Sequence, residues 1–288
     1  MILGTVQLGL KYGINNKTGK PSKEQACEIL DYAYNNGIHI LDTASSYGDS
    51  EKIIGEYKLM TGNSFDICTK LPIEIKNDLA VVVDESLEKL RYNNLHTIYL
   101  HRFEQCKDKN ILNQLNELKN KKIIKKIGIS IYEPEELRYI FTELSKVIDV
   151  IQIPFNILDC YRWQENDLLQ QAHEKFTIYA RSIYLQGLLL TESQNKKIEK
   201  VENSLIWLDE LSREKNISVA ELAMSYVKSE SSITDFIVGC ENIGQLKQNI
   251  NMLQNNIEFS KEEIQDIICH SKYIDRRIID PRTWNLKS

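Results

Sequence analysis

The feature that most constrains the fold is a regular alternation of short apolar runs with longer segments of helical period. The runs, such as FDIC, VIQI and DFIVG, are nearly continuous apolar stretches without polar alternation. Strands that are covered on both faces, as in a parallel sheet, have this pattern. We predict eight such strands, near residues 3–8, 38–42, 65–70, 96–101, 125–130, 149–153, 176–181 and 235–239.

Helical patterns fill the intervals between these strands. Ser22 and Gln25 have the spacing of a capping box, which predicts where the first helix begins. Eight β–α units in 288 residues predict one (β/α)8 barrel domain spanning residues 1–288. We predict its helices near residues 22–36, 49–58, 78–90, 109–120, 133–144, 164–175, 217–229 and 242–254.

Two predicted helical segments are additional to the eight β–α units. Residues 198–215 predict an extra helix after strand seven, and residues 260–272 predict a C-terminal helix followed by an arginine-rich tail. The alternative fold is an open doubly wound sheet, which should carry a GxGxxG turn after its first strand. The chain has GLKYG there, so the barrel is favoured.

Composition limits the classes of partner. A net charge of -5 with mixed signs gives no basic footprint for nucleic acid, and no apolar run approaches the ~18 residues of a membrane span. Six scattered cysteines without a CxxC pair indicate reduced thiols in a cytoplasmic protein and no metal site. No long amphipathic segment is left outside the barrel, so the sequence predicts no particular oligomeric state.

Polar residues follow three consecutive predicted strands. Asp42, Lys70 and His101 end strands two, three and four, and Tyr47 lies in the loop after Asp42. Each residue type alone is ordinary at such a position. The C-terminal ends of barrel strands meet at one mouth, where barrel enzymes carry their chemistry, so we expect these four side chains to converge.

These four residue types together suit proton donation. A phenol has a pKa of ~10, and a neighbouring ammonium group lowers it by favouring the phenolate. Asp42 would keep Lys70 charged and in place, and His101 would share the proton or orient a carbonyl group. The pattern therefore predicts that Tyr47 is the proton donor in the reduction of a carbonyl.

The chain resembles a bacterial branch of the aldo-keto reductase family. The resemblance covers most of the sequence, in the segments LDTASSYGDSEKIIGE, ICTKL, LHRFE, KKIGIS, IQIPFN, ARSIYLQGLLL and VGCENIGQLKQNI. The family's catalytic tetrad matches Asp42, Tyr47, Lys70 and His101. The resemblance implies a (β/α)8 barrel, NADPH or NADH as cofactor, and hydride transfer to a small-molecule aldehyde or ketone.

The resemblance also implies a set of cofactor contacts. Ser130 and Gln152 match the pair that binds the nicotinamide amide, while Ile131 replaces a frequent asparagine. Arg181 occupies the position where the family often stacks an aromatic ring on the nicotinamide. The pyrophosphate loop and the adenosine end are matched by Ser182, Leu185, Gly187, Gly239, Gln245, Gln248 and Asn249.

The choice between the two cofactors depends on charges near the adenosine end. The 2′-phosphate of NADP normally attracts a lysine or arginine, and this chain has Glu241 there, with Lys247 as the nearby base. Family habit favours NADPH, and Glu241 favours NADH because carboxylates commonly bind a free ribose hydroxyl. The sequence therefore does not decide between NADPH and NADH.

Residues that could contact the substrate lie in the tail and in the loop after strand six. Arg276, Arg282 and Trp284 could clamp an anionic substrate, and Trp163 could form a second wall. Such a pocket would suit a sugar, or a phosphorylated or nucleotide-linked sugar, or a keto acid. The alternative interpretation pairs the tail arginines with nearby carboxylates or the barrel rim.

Two other functions are alternatives to carbonyl reduction. A nicotinamide-binding regulatory subunit of the same fold fits the loss of the asparagine and of the aromatic ring, although it has no use for a proton donor. A metal- or phosphate-dependent barrel lyase or isomerase would need a ligand cluster, which the sequence does not show.

Overall fold

The computed structural model describes residues 1–191, 201–255 and 257–284. Eight parallel strands close into a barrel in chain order, with the last strand pairing the first. The predicted (β/α)8 barrel is therefore confirmed, and the open doubly wound sheet is excluded. The strands are β1 Ile2–Gly4, β2 Ile40–Asp42, β3 Asp66–Lys70, β4 Leu95–Leu100, β5 Ile124–Ser130, β6 Val150–Pro154, β7 Thr177–Arg181 and β8 Asp235–Gly239.

The helices surround the barrel. Ser22 and Ser260 close the two capping boxes that begin α2 and α12, as their spacing predicts. Short 3₁₀ segments occupy Phe103–Lys107, Glu165–Asp167, Leu185–Leu190 and Pro281–Thr283. The α-helices are α1 Val6–Gly9, α2 Lys23–Asn35, α3 Ser50–Thr61, α4 Leu79–Leu90, α5 Lys109–Asn120, α6 Pro134–Glu143, α7 Tyr161–Gln164, α8 Leu168–His173, α9 Glu202–Glu214, α10 Val219–Ser229, α11 Ile243–Gln254, α12 Lys261–Lys272 and α13 Arg276–Ile279.

Burial explains why the strands are apolar throughout. All five residues of β6 are buried, because one face of the strand points into the barrel and the other meets the helices. The side chains therefore divide into a large core cluster and a smaller, separate cluster. The smaller cluster contains Ile2, Cys68, Tyr99, Val150 and Tyr179.

Two sequence predictions of local structure are wrong. The first strand was expected over 3–8, but it ends at Gly4 and the apolar run continues as the single turn α1. The helix expected over 164–175 is divided between α7 and α8. Asn166 and Asp167 adopt left-handed φ angles of 57° and 56°, which these residue types tolerate better than most.

Helices beyond the simple repeat lie after β7 and after α11. Helix α9 occupies Glu202–Glu214, within the 198–215 segment, of which residues 198–200 lie outside the described residues. Helix α12 occupies Lys261–Lys272 and leads into the tail. In the part of the chain that the structure describes, every helix is too short or too polar to cross a membrane.

Candidate active site

A cavity of about 470 Å³ opens at the C-terminal ends of the strands. This size is typical of a pocket for a small molecule. All four side chains predicted to carry the chemistry, those of Asp42, Tyr47, Lys70 and His101, line it. The four side chains therefore converge at the mouth of the barrel, as their positions at consecutive strand ends predict.

A buried ion pair joins the ends of β2 and β3. The Lys70 Nζ atom lies 2.5 Å from Asp42 Oδ1 and donates to the Thr43 carbonyl oxygen at 3.1 Å. The second carboxylate oxygen of Asp42 accepts from Gln152 Nε2 at 2.5 Å. Asp42 and Lys70 are only 5% and 3% exposed, so both charges are fixed by protein groups.

Close backbone packing positions Tyr47. A Cβ atom on Gly9 would collide with the Tyr47 carbonyl oxygen, so only glycine lets α1 approach this loop. Gly48 follows Tyr47 with a φ of 54°, the left-handed region that glycine adopts without strain. The two glycines thus allow the turn that places the phenol beside Lys70.

Opposing effects act on the Tyr47 phenol. Burial raises its pKa most strongly, and the positive charge of Lys70 opposes this rise. The Lys70 ammonium nitrogen lies 5.1 Å from the centre of the Tyr47 ring. Burial also tends to lower the pKa of Lys70, but Asp42 and Tyr47 raise it overall, so the ammonium group stays charged. The net result is a protonated phenol beside a permanent cation.

His101 is neutral at physiological pH. Burial, assisted by the charge of Lys70, lowers the pKa of its imidazole to about 4. Its Nδ1 lies 3.2 Å from the Leu71 carbonyl oxygen, which can only accept, so Nδ1 of the neutral ring carries the proton. The Nε2 atom is therefore an acceptor, suited to receive a hydrogen bond from a hydroxyl group.

Most of the predicted cofactor residues also line the cavity. They follow the ends of β5, β7 and β8, as the resemblance implies, and are Ser130, Arg181, Ser182, Gly187, Gly239, Gln245, Gln248 and Asn249. Two predicted cofactor residues are not among those that line the cavity. Gln152 is fully buried, its Nε2 donates to Asp42, and its Oε1 has no partner among the described residues. Leu185 packs in the core, and its N–H group donates to the Ser182 carbonyl oxygen.

The cavity fits an elongated nicotinamide cofactor. It extends from the ion pair to the start of α11, which matches a ligand with a reactive ring at one end. Gln7 Oε1 is a buried acceptor without a partner among the described residues. A Cβ atom on Gly239 would collide with this Gln7 amide, so glycine keeps the wall open there. Ser130, Ser182 and Gln245 are placed to hold such a ligand.

The two tryptophans proposed for the substrate lie elsewhere. Trp163, on α7, is 0% exposed and belongs to the large core cluster, because α7 folds this side chain inward. Trp284 packs against the same core and donates from Nε1 to the Arg277 carbonyl oxygen at 2.8 Å. Neither residue lines the cavity, so the predicted aromatic walls are wrong.

The tail arginines are paired with carboxylates, as in the alternative interpretation. Arg276 binds Glu133 on the barrel rim. Arg282 binds Glu133 at 2.8 Å and Asp280 at 2.7 Å. Neither arginine lines the cavity, and each is paired with carboxylates instead. The tail thus closes on the rim through charge pairs.

Sequence reasoning missed the loop after β1. Its residues Gln7, Tyr12 and Asn15 line the cavity, as does Gln186 from the loop after β7. The signal was available, because every loop after a barrel strand opens on the same mouth. Among the described residues, no group of three or more His, Cys, Asp or Glu side chains could hold a metal ion.

Comparisons with known proteins agree with this geometry. Residues 1–271 match the model of the aldo/keto reductase family. The chain is 27% identical to D-arabinose 1-dehydrogenase of Saccharomyces cerevisiae, covering 88% of this chain and 86% of that protein. It is 24% identical to L-glyceraldehyde 3-phosphate reductase of Escherichia coli O157:H7, covering 93% and 89%.

A solved structure shows the same fold. Aldo-keto reductase AKR11C1 from Bacillus halodurans, in its holo form, superposes with a TM-score of 0.74 at 21% identity, covering 93% of this chain and 90% of that one. From the family match, together with the barrel and its cavity, the chain belongs to the aldo/keto reductase family of NAD(P)-dependent oxidoreductases.

Proposed function

We propose that this protein reduces the carbonyl group of a small aldehyde or ketone to an alcohol, with Tyr47 as the proton donor. The observation that carries the proposal is the buried Asp42–Lys70 pair beside the Tyr47 phenol at the cavity wall. A reduced nicotinamide, when bound, supplies hydride to the carbonyl carbon. The oxygen then needs a proton, and Tyr47 is the protonated group placed to give it.

Lys70 stabilises the phenolate that remains after proton transfer. Its charge lies within a few ångströms of the ring, in a site from which water is largely excluded. Asp42 holds that charge in position, and Gln152 in turn holds Asp42. His101, neutral with Nε2 as an acceptor, receives a hydrogen bond from the phenol or from the product hydroxyl.

The test compares Tyr47→Phe with wild type in NADH and NADPH oxidation at 340 nm, using a panel of aldehydes and keto sugars. Loss of a general acid lowers turnover by about 10²- to 10⁴-fold. Tyr139→Phe, an exposed residue on α6, is the matched control and should keep full activity. Equal rates for Tyr47→Phe and wild type would refute the proposed role.

The substrate we propose is a sugar aldehyde or ketosugar, including phosphorylated and nucleotide-linked forms. Two relatives support this class by their names, D-arabinose 1-dehydrogenase and L-glyceraldehyde 3-phosphate reductase. The panel therefore includes D-arabinose, glyceraldehyde, glyceraldehyde 3-phosphate and a nucleotide-linked ketosugar. Simple aromatic aldehydes provide the comparison, and faster reduction of those than of every sugar would contradict this substrate class.

We further propose that NADH is the preferred cofactor. Glu241 lines the cavity near the start of α11, and its carboxylate approaches Gly13 across the opening. Lys247, the base considered from the sequence, lies 5.2 Å from the centre of the Tyr32 ring and does not line the cavity. Glu241 has no ion-pair partner among the described residues, and such a carboxylate suits the two hydroxyls of a ribose and repels a 2′-phosphate.

Cofactor binding tests this preference directly. Fluorescence titrations should show tighter binding of NADH than of NADPH in wild type. In Glu241→Gln the NADPH affinity should rise about tenfold, as expected when repulsion worth ~1.4 kcal/mol is removed. Glu174→Gln, an exposed residue outside the cavity, controls for the loss of one carboxylate. An unchanged ratio of the two affinities in Glu241→Gln would refute the role of this residue.

A further inference from the structure

Arg181, at the end of β7, presents a guanidinium group to the cavity. Its Nε donates to Ser130 Oγ at 3.2 Å, and its Nη2 donates to the Ile131 carbonyl oxygen at 2.9 Å. Its Cζ atom lies 4.1 Å from the centre of the Tyr132 ring. The side chain is therefore held by three neighbouring residues of the β5 loop.

No carboxylate among the described residues neutralises the charge of Arg181. An arginine has five N–H donors, and only two of those on Arg181 have acceptors among the described residues. No carboxylate of those residues lies within ion-pair distance of it, whereas Arg162, Arg276 and Arg282 all form such pairs. Lys70, the other cation of the cavity, is paired with Asp42.

The tail helps to fix this guanidinium group. Arg282 Cζ lies 3.9 Å from the centre of the same Tyr132 ring. Arg181 and Arg282 therefore both pack on the Tyr132 ring. Arg282 is itself fixed by Asp280 and Glu133. Arg181 is therefore ordered before any ligand arrives, which reduces the entropy lost on binding.

We propose that Arg181 binds an oxyanion of the substrate, a carboxylate or a phosphate carried by the carbonyl compound. The inference rests on the proposed carbonyl reduction, because the same cavity holds Tyr47. Its remaining N–H donors form the planar fork that recognises such oxygens with two hydrogen bonds. The sequence suggested that the tail arginines bind an anion. Among the described residues, Arg181 is instead the cation that lines the cavity without a carboxylate partner.

Binding measurements separate this proposal from turnover. Calorimetric titrations in the presence of NAD⁺ use two matched pairs of probes: 4-carboxybenzaldehyde with 4-formylbenzamide, and glyceraldehyde 3-phosphate with glyceraldehyde. Wild type should bind at least one anion about tenfold or more tightly than its neutral partner. Arg181→Gln, which keeps hydrogen-bonding capacity without the charge, should abolish this difference and leave the neutral probes within about threefold.

Two further variants complete the design. Arg181→Lys keeps the charge and should retain part of the preference, while Arg138→Gln, exposed on α6, should retain all of it. The pair that responds distinguishes a carboxylate ligand from a phosphate ligand. The proposal is overturned if wild type shows no preference in either pair, or if Arg181→Gln weakens charged and neutral probes equally.

Failure of the proposed reduction would give a different result. In that case neutral aldehydes would not oxidise NADH or NADPH in wild type, whatever the titrations with oxidised cofactor show. Loss of the anion preference in Arg181→Gln, in a protein whose wild type turns over neutral aldehydes, would instead confirm Arg181 as an oxyanion-binding residue.

Discussion

Protonation of His101 gives a quantitative prediction that needs neither substrate nor cofactor. The pKa of its imidazole is lowered to about 4 in the folded protein, against an ordinary value of 6.5. The folded state therefore takes up this proton at lower pH than the unfolded state. The stability associated with His101 is fully present above pH 6.5 and is lost as the pH falls from 6.5 towards 4.

The magnitude follows from these two values. Between pH 7 and pH 5 the unfolded chain takes up about three-quarters of a proton at this residue, while the folded protein takes up about a tenth of one. Integration gives a loss of about 2 kcal/mol in the free energy of unfolding. The variant His101→Asn removes this contribution, so wild type should lose about 2 kcal/mol more than the variant over the same pH interval in urea unfolding.

An NMR titration reads the same quantity from the folded state alone. The protein has only five histidines, and His101→Asn assigns the relevant imidazole resonance by its disappearance. The resonance should stay in its neutral position down to about pH 5. An NMR titration midpoint near pH 6.5 would refute the burial argument. So would an equal loss of unfolding free energy in wild type and His101→Asn between pH 7 and pH 5.

Three other perturbations test the surroundings of the site. Lys70→Met leaves the buried Asp42 carboxylate without its cation and should lower the free energy of unfolding by about 3–5 kcal/mol. Urea unfolding measures this change, and a loss below ~1 kcal/mol would contradict the buried pair. Gly9→Ala forces a methyl group against the Tyr47 carbonyl and should cost at least ~1–3 kcal/mol, seen as a lower melting temperature, whereas an unchanged temperature would contradict the contact. Glu133→Gln breaks pairs with Arg276 and Arg282, which are more than a third exposed, and one with Arg162, which keeps Asp159 as its partner. It should therefore cost less than ~1 kcal/mol in urea unfolding, and a larger loss would show that the tail is held more strongly than exposed pairs allow.

The barrel was predictable from the sequence because each strand is covered on both faces. Runs such as VIQI contain almost no polar residue, which is typical of a buried parallel strand. The first strand was predicted too long because residues 5–8, TVQL, alternate polar and apolar side chains as a strand can. A run of four residues has no period that separates a strand from a helical turn.

The side chains at strand ends were predictable, and those of the tail were not. Strand ends are placed by the closed sheet, so Asp42, Lys70 and His101 meet wherever their loops go. The direction of Arg276 and Arg282 depends on Glu133, which follows a different strand and is 149 residues from Arg282. Nothing in the tail itself indicates whether its arginines face the cavity or the rim.

Gln152 has a role that the sequence did not predict. The family resemblance implied contact with the cofactor, and in the structure its amide nitrogen also donates to Asp42, whose other oxygen holds Lys70. Burial by itself would lower the pKa of Lys70, so the charge next to Tyr47 depends on a carboxylate fixed on both sides. Strands β6, β2 and β3 thus contribute one polar group each to a chain that ends at the phenol. Because desolvated ion pairs add little net stability, the electrostatic effect on Tyr47 accounts for this arrangement better than stabilisation of the barrel does.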